Sequence, residues 1–512
     1  MDRDKRVRLE KTWAHQYRSH ALPLINEERF AKYFDADNGR PNKSVRLVLS
    51  VLLLKEVRNL TDEEALEQLE WNSAWHYALD VEPEEAHTCQ KTLHNFRSLL
   101  LEDDEGAGLF ESTVTRLIEA AGLSTSRQRL DSTHIVSNIK ILTRLGLFVE
   151  TLTHFLEALR KEHPRLCADF PEEIRERYLD REGYFADARS SEAQRRLEET
   201  ALAVHIAVHW FAGHETVSKM ESFILLSRLY EEQCEPPAKD LPERIELKEK
   251  PSSSSLQSPY DPDMTYGHKG KGYEAQVAET CDEENAFQVA TAVHINGANE
   301  SDQQQVAPML EQIERTCGEA PRELNADAGY ASGENILVAG DHGTELVSPI
   351  GSKGPESVSL GDFELSEGGD RVVQCPAGER PVEHRPTRGE KATLACFNAE
   401  KCEDCLLRDV CPAERRGEQR VVRFTAADAA VSQRRIEQET AAFKERYKIR
   451  SGIEATNSEL KRCHGLGKPR VRGRPRVALS VRLKVLGMNF KRYLRHLVET
   501  DNAAAAPLLC PC

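Results

Sequence analysis

Tyr447-Lys-Ile-Arg450-Ser-Gly-Ile-Glu454-Ala-Thr-Asn-Ser-Glu-Leu-Lys461 is the stretch on which the reading of this chain turns. On a helix turning about 100° per residue, Arg450, Glu454 and Lys461 fall roughly 60°, 20° and 40° to one side of Tyr447. One narrow face then carries a phenol, a guanidinium, a carboxylate and an ammonium. That is a poor stripe for packing a core. A solvated charged helix is the bland explanation. The sharper one is a site where a carboxylate holds a metal ion and the cations hold phosphates.

Two carboxylates far upstream favour the sharper explanation. Arg129-Leu-Asp131-Ser-Thr-His-Ile places an acid inside a β-favouring run, which is costly unless the acid is paired or binds a metal. Asn325-Ala-Asp327-Ala-Gly329-Tyr330 ends a second such run, with Gly329 permitting a sharp turn. Hard divalent cations prefer carboxylate oxygens, and three acids from separate segments suit phosphodiester chemistry.

Tyr-x2-Arg-x3-Glu-x6-Lys resembles the signature around the last acid of DDE-type insertion-sequence transposases, and Tyr447, Arg450, Glu454 and Lys461 match it without a gap. The segments around Asp131 and Asp327 resemble the first and second acidic motifs, in the same order. The layout is most similar to the insertion sequence 1182 family, through nearly the whole chain. The resemblance implies a ribonuclease-H-like catalytic core. It also implies Asp131, Asp327 and Glu454 as catalytic ligands of two Mg²⁺ ions, replaceable by Mn²⁺, set roughly 3.5–4 Å apart. In that scheme Asp131 bridges both ions, Asp327 completes one shell and Glu454 the other. Arg450 and Lys461 grip phosphates near the cut, and Tyr447 stacks on a base or bonds a phosphate. The expected partners are terminal inverted repeats, target DNA and a second copy of the chain in the synaptic complex.

The net charge of −16 looks wrong for a DNA-binding protein until its distribution is read. Ala442 to His496 holds 16 Lys and Arg against 3 Asp and Glu, a local +13 that leaves −29 elsewhere. Phosphate binding depends on local basic surface. Within that segment, Lys468-Pro-Arg470-Val-Arg472-Gly-Arg474-Pro-Arg476 suggests an extended loop tracking phosphates through Arg470, Arg472 and Arg474. The N-terminus lacks an apolar signal region and the longest apolar run, near Leu47 to Leu54, is too short to span a bilayer, so a cytoplasmic, nucleoid-associated protein with no membrane partner is expected.

Hydrophobic residues at 39% and charged residues at 30% describe a globular chain of several domains. The pattern is α/β plus all-α. Residues 1–125 read as a helical DNA-binding or dimerisation domain. A helix-turn-helix reader there would use Gln90, Lys91, His94, Asn95 and Arg97. Residues 126–350 read as the first part of the core, interrupted by a helical insertion over about 150–250. Pro251-Ser-Ser-Ser-Ser-Leu-Gln-Ser258 reads as a flexible linker by composition. Alternating apolar residues predict strands at Tyr273–Val277 and Phe287–Ile295, joined through Asp282–Asn285. A helix from Ser301, a strand ending at Asp327, a helix from Gly333 and a strand over 344–349 follow. Residues 351–430 read as a Cys-rich insertion, 431–498 as core completion with the signature helix and the basic segment, and 499–512 as a frayed tail.

Of 13 cysteines, five crowd between Cys375 and Cys411. The Cys402-x2-Cys405 pair, with Cys375 and Cys411, suits a four-thiolate structural Zn²⁺ site, with Cys396 as a spare; reduced thiols without metal are the alternative. His205 and His209, spaced i,i+4, could share a metal, but no third ligand is evident, so they read as packing histidines. Three rival functions share parts of the pattern: a transposase-derived DNA-binding protein that no longer cuts, another ribonuclease-H-like DNA nuclease, and a non-enzymatic, zinc-dependent scaffold.

Overall fold

The computed structural model describes residues 3–33, 44–139, 142–179, 190–235, 245–351, 358–366, 368–389 and 391–500. Of the tail read as frayed, 501–512 lie outside them, while 499 and 500 belong to the last helix. β-branched and aromatic residues of the middle third build one six-stranded sheet: β1 (Arg127–Val136), β2 (Thr265–Gly267), β3 (Gly270–Thr280), β4 (Ala290–Gly297), β5 (Glu323–Ala326) and β6 (Glu345–Val347). β3 lies antiparallel to β1 on one side and to β4 and the short β2 on the other. β5 runs parallel beside β1, and β6 parallel beside β5.

The helices surround this sheet. α1 (Arg3–Leu9), α2 (Trp13–Gln16), α3 (Val45–Val57), α4 (Asp62–Trp71), α5 (Ser73–Leu79), α6 (Gln90–Leu101) and α7 (Glu105–Ala121) precede it. Between β1 and β2 come α8 (Arg144–Glu162), α9 (Pro164–Asp169), α10 (Glu172–Leu179), α11 (Ser190–Phe211) and α12 (Glu221–Gln233). α13 (Val306–Cys317) crosses from β4 to β5, and α14 (Gly333–Asp341) from β5 to β6. A Cys-rich module then holds β7 (Glu364–Leu365), β8 (Val372–Gln374), β9 (Glu383–Pro386), β10 (Thr393–Asn398), α15 (Ala399–Glu403), β11 (Glu414–Arg416) and β12 (Gln419–Phe424). α16 (Ala426–Glu437), α17 (Ala441–Tyr447), α18 (Ile453–Cys463) and α19 (Arg474–Thr500) close the chain. Among the described residues no helix is long and apolar enough to cross a membrane.

Both faces of the sheet are covered. Ile135, Tyr273, Ala275, Val277 and Val293 join the N-terminal helices and α19 in one core, while Leu130, Ala278 and Ala292 meet Met309, Leu310 and Ile313 of α13 on the other face. Burial on two faces explains why the polar members of the β3 alternation are buried as well. Gln276 is satisfied by Asn296 (3.1 Å), Asp302 (3.0 Å) and the Tyr330 hydroxyl. The helical insertion has its own core around Phe148, Phe155, Leu226 and Leu229, and so does the Cys-rich module around Phe363, Phe397 and Phe424.

The N-terminal helices are tied to the C-terminal one by charge as well as by apolar contact. Lys484 of α19 is buried between the Glu56 carboxylate (2.8 Å) and the His464 carbonyl (2.6 Å). The cap predicted for α4 is present, with the Thr61 hydroxyl accepting from Glu64 N (3.1 Å) and the Glu64 carboxylate accepting from Thr61 N (2.6 Å).

The serine-rich segment 251–258 is not a flexible linker. Ser255, Leu256, Gln257 and Ser258 are buried against α12, where Glu232 accepts from Leu256 N (2.6 Å) and Arg228 donates to the Ser254 carbonyl (3.1 Å). Composition missed this because the groups that satisfy the segment belong to another element. Of the proposed reader residues, Gln90, Lys91, His94 and Asn95 are exposed on α6. Arg97 is instead committed to a bidentate pair with Asp62 of α4.

Candidate active site

Strand register brings the first two acids together. The parallel β1–β5 pairing sets Leu130 opposite Ala326, so Asp131 and Asp327, each one residue further on, emerge side by side. Asp131 is held in mid-strand, whereas Asp327 lies just past the end of β5, where its carboxylate caps Gly329 N (2.8 Å).

The signature stretch reaches this point differently from expectation. It is not one α-helix. α17 ends at Tyr447, a 3₁₀ turn runs over Lys448–Gly452, and α18 starts at Ile453. The cause is tertiary. Arg129 of β1 donates to the Ile449 carbonyl (3.0 Å), and a Cβ on Gly452 would lie 1.8 Å from the same guanidinium. Only glycine leaves Arg129 its place. Gly452→Val is expected to destabilise the fold by about 1–3 kcal/mol through overpacking, seen as a lower urea midpoint.

Arg129 is in turn fixed by Glu279 of β3 (2.7 Å), a fully buried carboxylate that also accepts from Thr456 of α18 (2.7 Å) and Arg492 of α19 (3.0 Å). Arg492 reaches Glu459 of α18 as well (2.9 Å). The base of the signature segment is thus set on the sheet by charge-assisted bonds, which are the stronger kind.

Arg450 gathers the three acids. Its Nη2 lies 3.3 Å from Asp131 Oδ1 and 3.8 Å from Asp327 Oδ2, and its Nη1 3.2 Å from Glu454 Oε1. Asp131 and Arg450 are 319 residues apart in sequence. Burial raises the Asp131 carboxyl above its usual range; Arg450 pulls it down and Asp327 pushes it up. Burial works against the Arg450 charge, but Asp131, Tyr447 and the other acids hold that charge more firmly than usual. Burial likewise raises the Tyr447 phenol, whose ring stacks on Phe443 with centroids 6.1 Å apart.

Three carboxylates are the donor set a hard divalent cation takes, so their chemistry fits such an ion. In the geometry present, the positive charge among them is the guanidinium of Arg450. Among the described residues no three His, Cys, Asp or Glu side chains converge closely enough to hold a metal. Lys461 stands on the next turns of α18, its ammonium depressed by burial and by nearby Lys269.

Sequence reasoning missed several neighbours. Asn457 of α18 donates from Nδ2 to Asp131 Oδ2 (3.1 Å); its spacing of three from Glu454 puts the two on one helix face, a signal that was available. Lys269, at the tip of the β2–β3 hairpin, reaches Ser132 (3.3 Å) and Glu274 (3.4 Å) next to Asp131. No spacing pattern connects that hairpin to the signature.

The basic segment is not an open loop of free cations. Arg470 donates to the Leu60 carbonyl (2.8 Å), Arg472 to that of Asn138 (3.0 Å), and Arg474 begins α19 while bonding the Ile295 carbonyl (3.0 Å) and Glu300 (3.2 Å). Arg470 and Arg472 nevertheless remain exposed. Other positive charges of this region are neutralised locally, Arg446 by Glu323 and Glu345 and Arg482 by Asp104.

In the Cys-rich module, burial raises the Cys402 thiol, and Cys375, Cys411 and Cys405 lie near enough to raise it further. Cys396 is buried apart in β10. His205 bonds the Tyr230 hydroxyl (2.9 Å) and His209 the His205 carbonyl (2.9 Å), which leaves this pair a packing role.

Comparison with known families adds two matches. A model described as Transposase domain (DUF772) matches residues 12–99, covering α2 to α6. A model described as Transposase DDE domain matches residues 374–494, from the Cys-rich module through α18 and most of α19. No curated protein and no solved structure matches the chain. Two transposase models, one toward each end of the chain and the second carrying the Glu454 segment, indicate a DDE-type insertion-sequence transposase.

Proposed function

We propose that this transposase cleaves the ends of an insertion sequence and joins the freed 3′-hydroxyl to target DNA by two-metal phosphoryl transfer. The observation that carries the reading is the convergence of Asp131, Asp327 and Glu454, from three distant segments, on the single guanidinium of Arg450. The sheet supports it: an antiparallel meander, β1–β3–β4, followed by parallel β5 and β6 with helical crossovers, is the strand order of a ribonuclease-H-like core. The pairing of the two transposase models is consistent with the insertion sequence 1182 family.

Asp131, Asp327 and Glu454 are the residues that would hold Mg²⁺ or Mn²⁺. Such ions, when bound, activate the attacking oxygen and neutralise charge on the leaving 3′ oxygen. The chain's own contribution is position and charge. Asp131 sits on a strand paired on both edges, which fixes one carboxylate for in-line attack. Glu454 is exposed, with a side chain free to adjust, while Arg450 and Lys461 offer cations to the phosphates flanking the cut. Tyr447, half-buried beside Arg450, lines the approach.

Exposed residues of α6 and of the loop carrying Arg470 and Arg472 are the proposed contacts to terminal DNA, with a second copy of the chain completing the synaptic complex. A structural zinc has weaker support: three thiols gather about that of Cys402, but no three of the four converge to hold an ion.

The test is incubation of a linear DNA bearing the element's terminal repeats with the protein and Mg²⁺. Cleavage at the repeat ends and joined products are expected from the wild type. Neither is expected from Asp131→Asn, Asp327→Asn or Glu454→Gln, although all should still bind the repeats. Substantial cutting by any variant removes that residue from the site. Cleavage without joining would move the protein to the nucleases.

A further inference from the structure

One guanidinium stands where the three acids meet. Arg450 offers Nη2 to Asp131 (3.3 Å) and Asp327 (3.8 Å), and Nη1 to Glu454 (3.2 Å). Acids that share a divalent cation bring their oxygens to about 2–2.6 Å from one centre. Here they lie further out, with Glu454 on one nitrogen and both aspartates on the other. Among the described residues no three His, Cys, Asp or Glu side chains converge to hold an ion. The planar fork is therefore a spacer among the carboxylates as well as their counter-charge. Its hold is incomplete. Asp327 is a charge contact beyond hydrogen-bond range, and Nε is buried without a hydrogen-bond partner. The Glu454 side chain is 66% exposed and moves at little cost. A guanidinium held this way can exchange carboxylate for phosphate, which it also binds bidentately. The carboxylates it leaves then repel one another until another positive charge arrives.

From this geometry we infer that Arg450 is a built-in gate on the acid cluster. Without DNA its guanidinium occupies the space among Asp131, Asp327 and Glu454. A phosphate of bound DNA draws it out, and only then can the three carboxylates close around a divalent cation. Cation binding is thereby tied to DNA binding, and the cutting site stays unarmed away from its substrate. The inference rests on the reading of the three acids as a divalent-cation site.

Mn²⁺ titration of the full chain tests it, with bound ion read by calorimetry or by loss of the free-ion spin resonance signal. Without DNA, Arg450→Gln is expected to bind Mn²⁺ about tenfold more tightly than the wild type, a usual size for coupling between two binding events. Equal affinities overturn the gate. Removing a positive charge would by itself favour a cation, so Arg450→Lys separates the causes. It keeps the charge but lacks the fork that reaches three carboxylates at once. Tighter binding than the wild type in the lysine variant supports occupancy of the site by the guanidinium. Wild-type affinity there reduces Arg450 to a nearby like charge and overturns the gate. The lysine variant also serves should the glutamine one fail to fold. A pre-cleaved terminal-repeat duplex, which leaves no bond to cut, is then added. It is expected to tighten Mn²⁺ binding more in the wild type than in Arg450→Gln; an equal gain in both overturns the coupling. Asp131→Asn with the duplex present keeps the two failures apart. Mn²⁺ bound as in the wild type ends the reading of the acids as a cation site. Loss of that Mn²⁺, beside equal affinities of the wild type and Arg450→Gln, ends the gate alone.

Discussion

Asp131→Asn is expected to lower cleavage at the terminal repeats by on the order of 10³-fold or more while leaving DNA binding and folding intact. That is the scale of loss when one member of a preorganised electrostatic set is removed. The substitution keeps the shape of the side chain in mid-strand and removes only its charge. The Arg450 guanidinium retains Asp327 and Glu454 as partners, so the ring of side chains has a reason to stay assembled. Stability gives an independent check. The Asp131 carboxyl is raised, chiefly by burial, with Asp327 adding to it. An acid whose folded-state pKa lies above its unfolded value lowers stability as pH rises through that pKa, because the folded chain then resists ionising it. Replacement by a neutral amide should therefore leave the melting temperature at neutral pH unchanged or raise it. A large drop in melting temperature alongside the lost activity would make Asp131 part of the scaffold rather than of the chemistry.

Glu279→Gln carries the largest expected effect on stability, a loss of about 3–5 kcal/mol, the usual result of removing one partner from a buried ion pair. Glu279 is fully buried between Arg129 and Arg492, and nothing nearby replaces its charge for both arginines. Burial works against the Arg492 cation, and Glu279 together with Glu459 more than restores it. With glutamine at 279, both guanidinium groups face an amide, and the neutral oxygen cannot serve them equally. Urea unfolding followed by circular dichroism should show the lower midpoint. A midpoint within about 1 kcal/mol of the wild type would mean that the network contributes little. Since Arg129 also holds the Ile449 carbonyl of the 3₁₀ turn, residual folded Glu279→Gln protein should cut DNA more slowly than its folded fraction predicts.

How much of this was legible in the chain depends on the range of the interaction that decides each feature. The strands read at 273–277 and 287–295 from period-two alternation correspond to β3 and β4, although β4 begins at Ala290 rather than at Phe287, and the cap at Thr61 follows from a spacing of three. The three acids were found because each sits in a short motif. Asn457, which donates to Asp131, was visible only as one polar residue among several on a helix face. Its importance lies in a bond to a residue 326 positions away. The same holds for Arg470 and Arg474, whose charges read as open to phosphate and whose guanidinium groups bond carbonyls of Leu60 and Ile295.

The amino-acid sequence by itself determined the order of elements, the identities of Asp131, Asp327 and Glu454, and the presence of Arg450 four residues before the last of them. Periodicity and motif spacing act over a few residues, so a linear reading can recover them. Tertiary structure alone decided that the signature breaks into α17, a 3₁₀ turn and α18, that Ser255 to Ser258 form a packed segment, and that Arg450 stands among all three acids. Each of these is set by a charged or backbone group arriving from a distant element, where burial strengthens the attraction and leaves one arrangement that satisfies every partner.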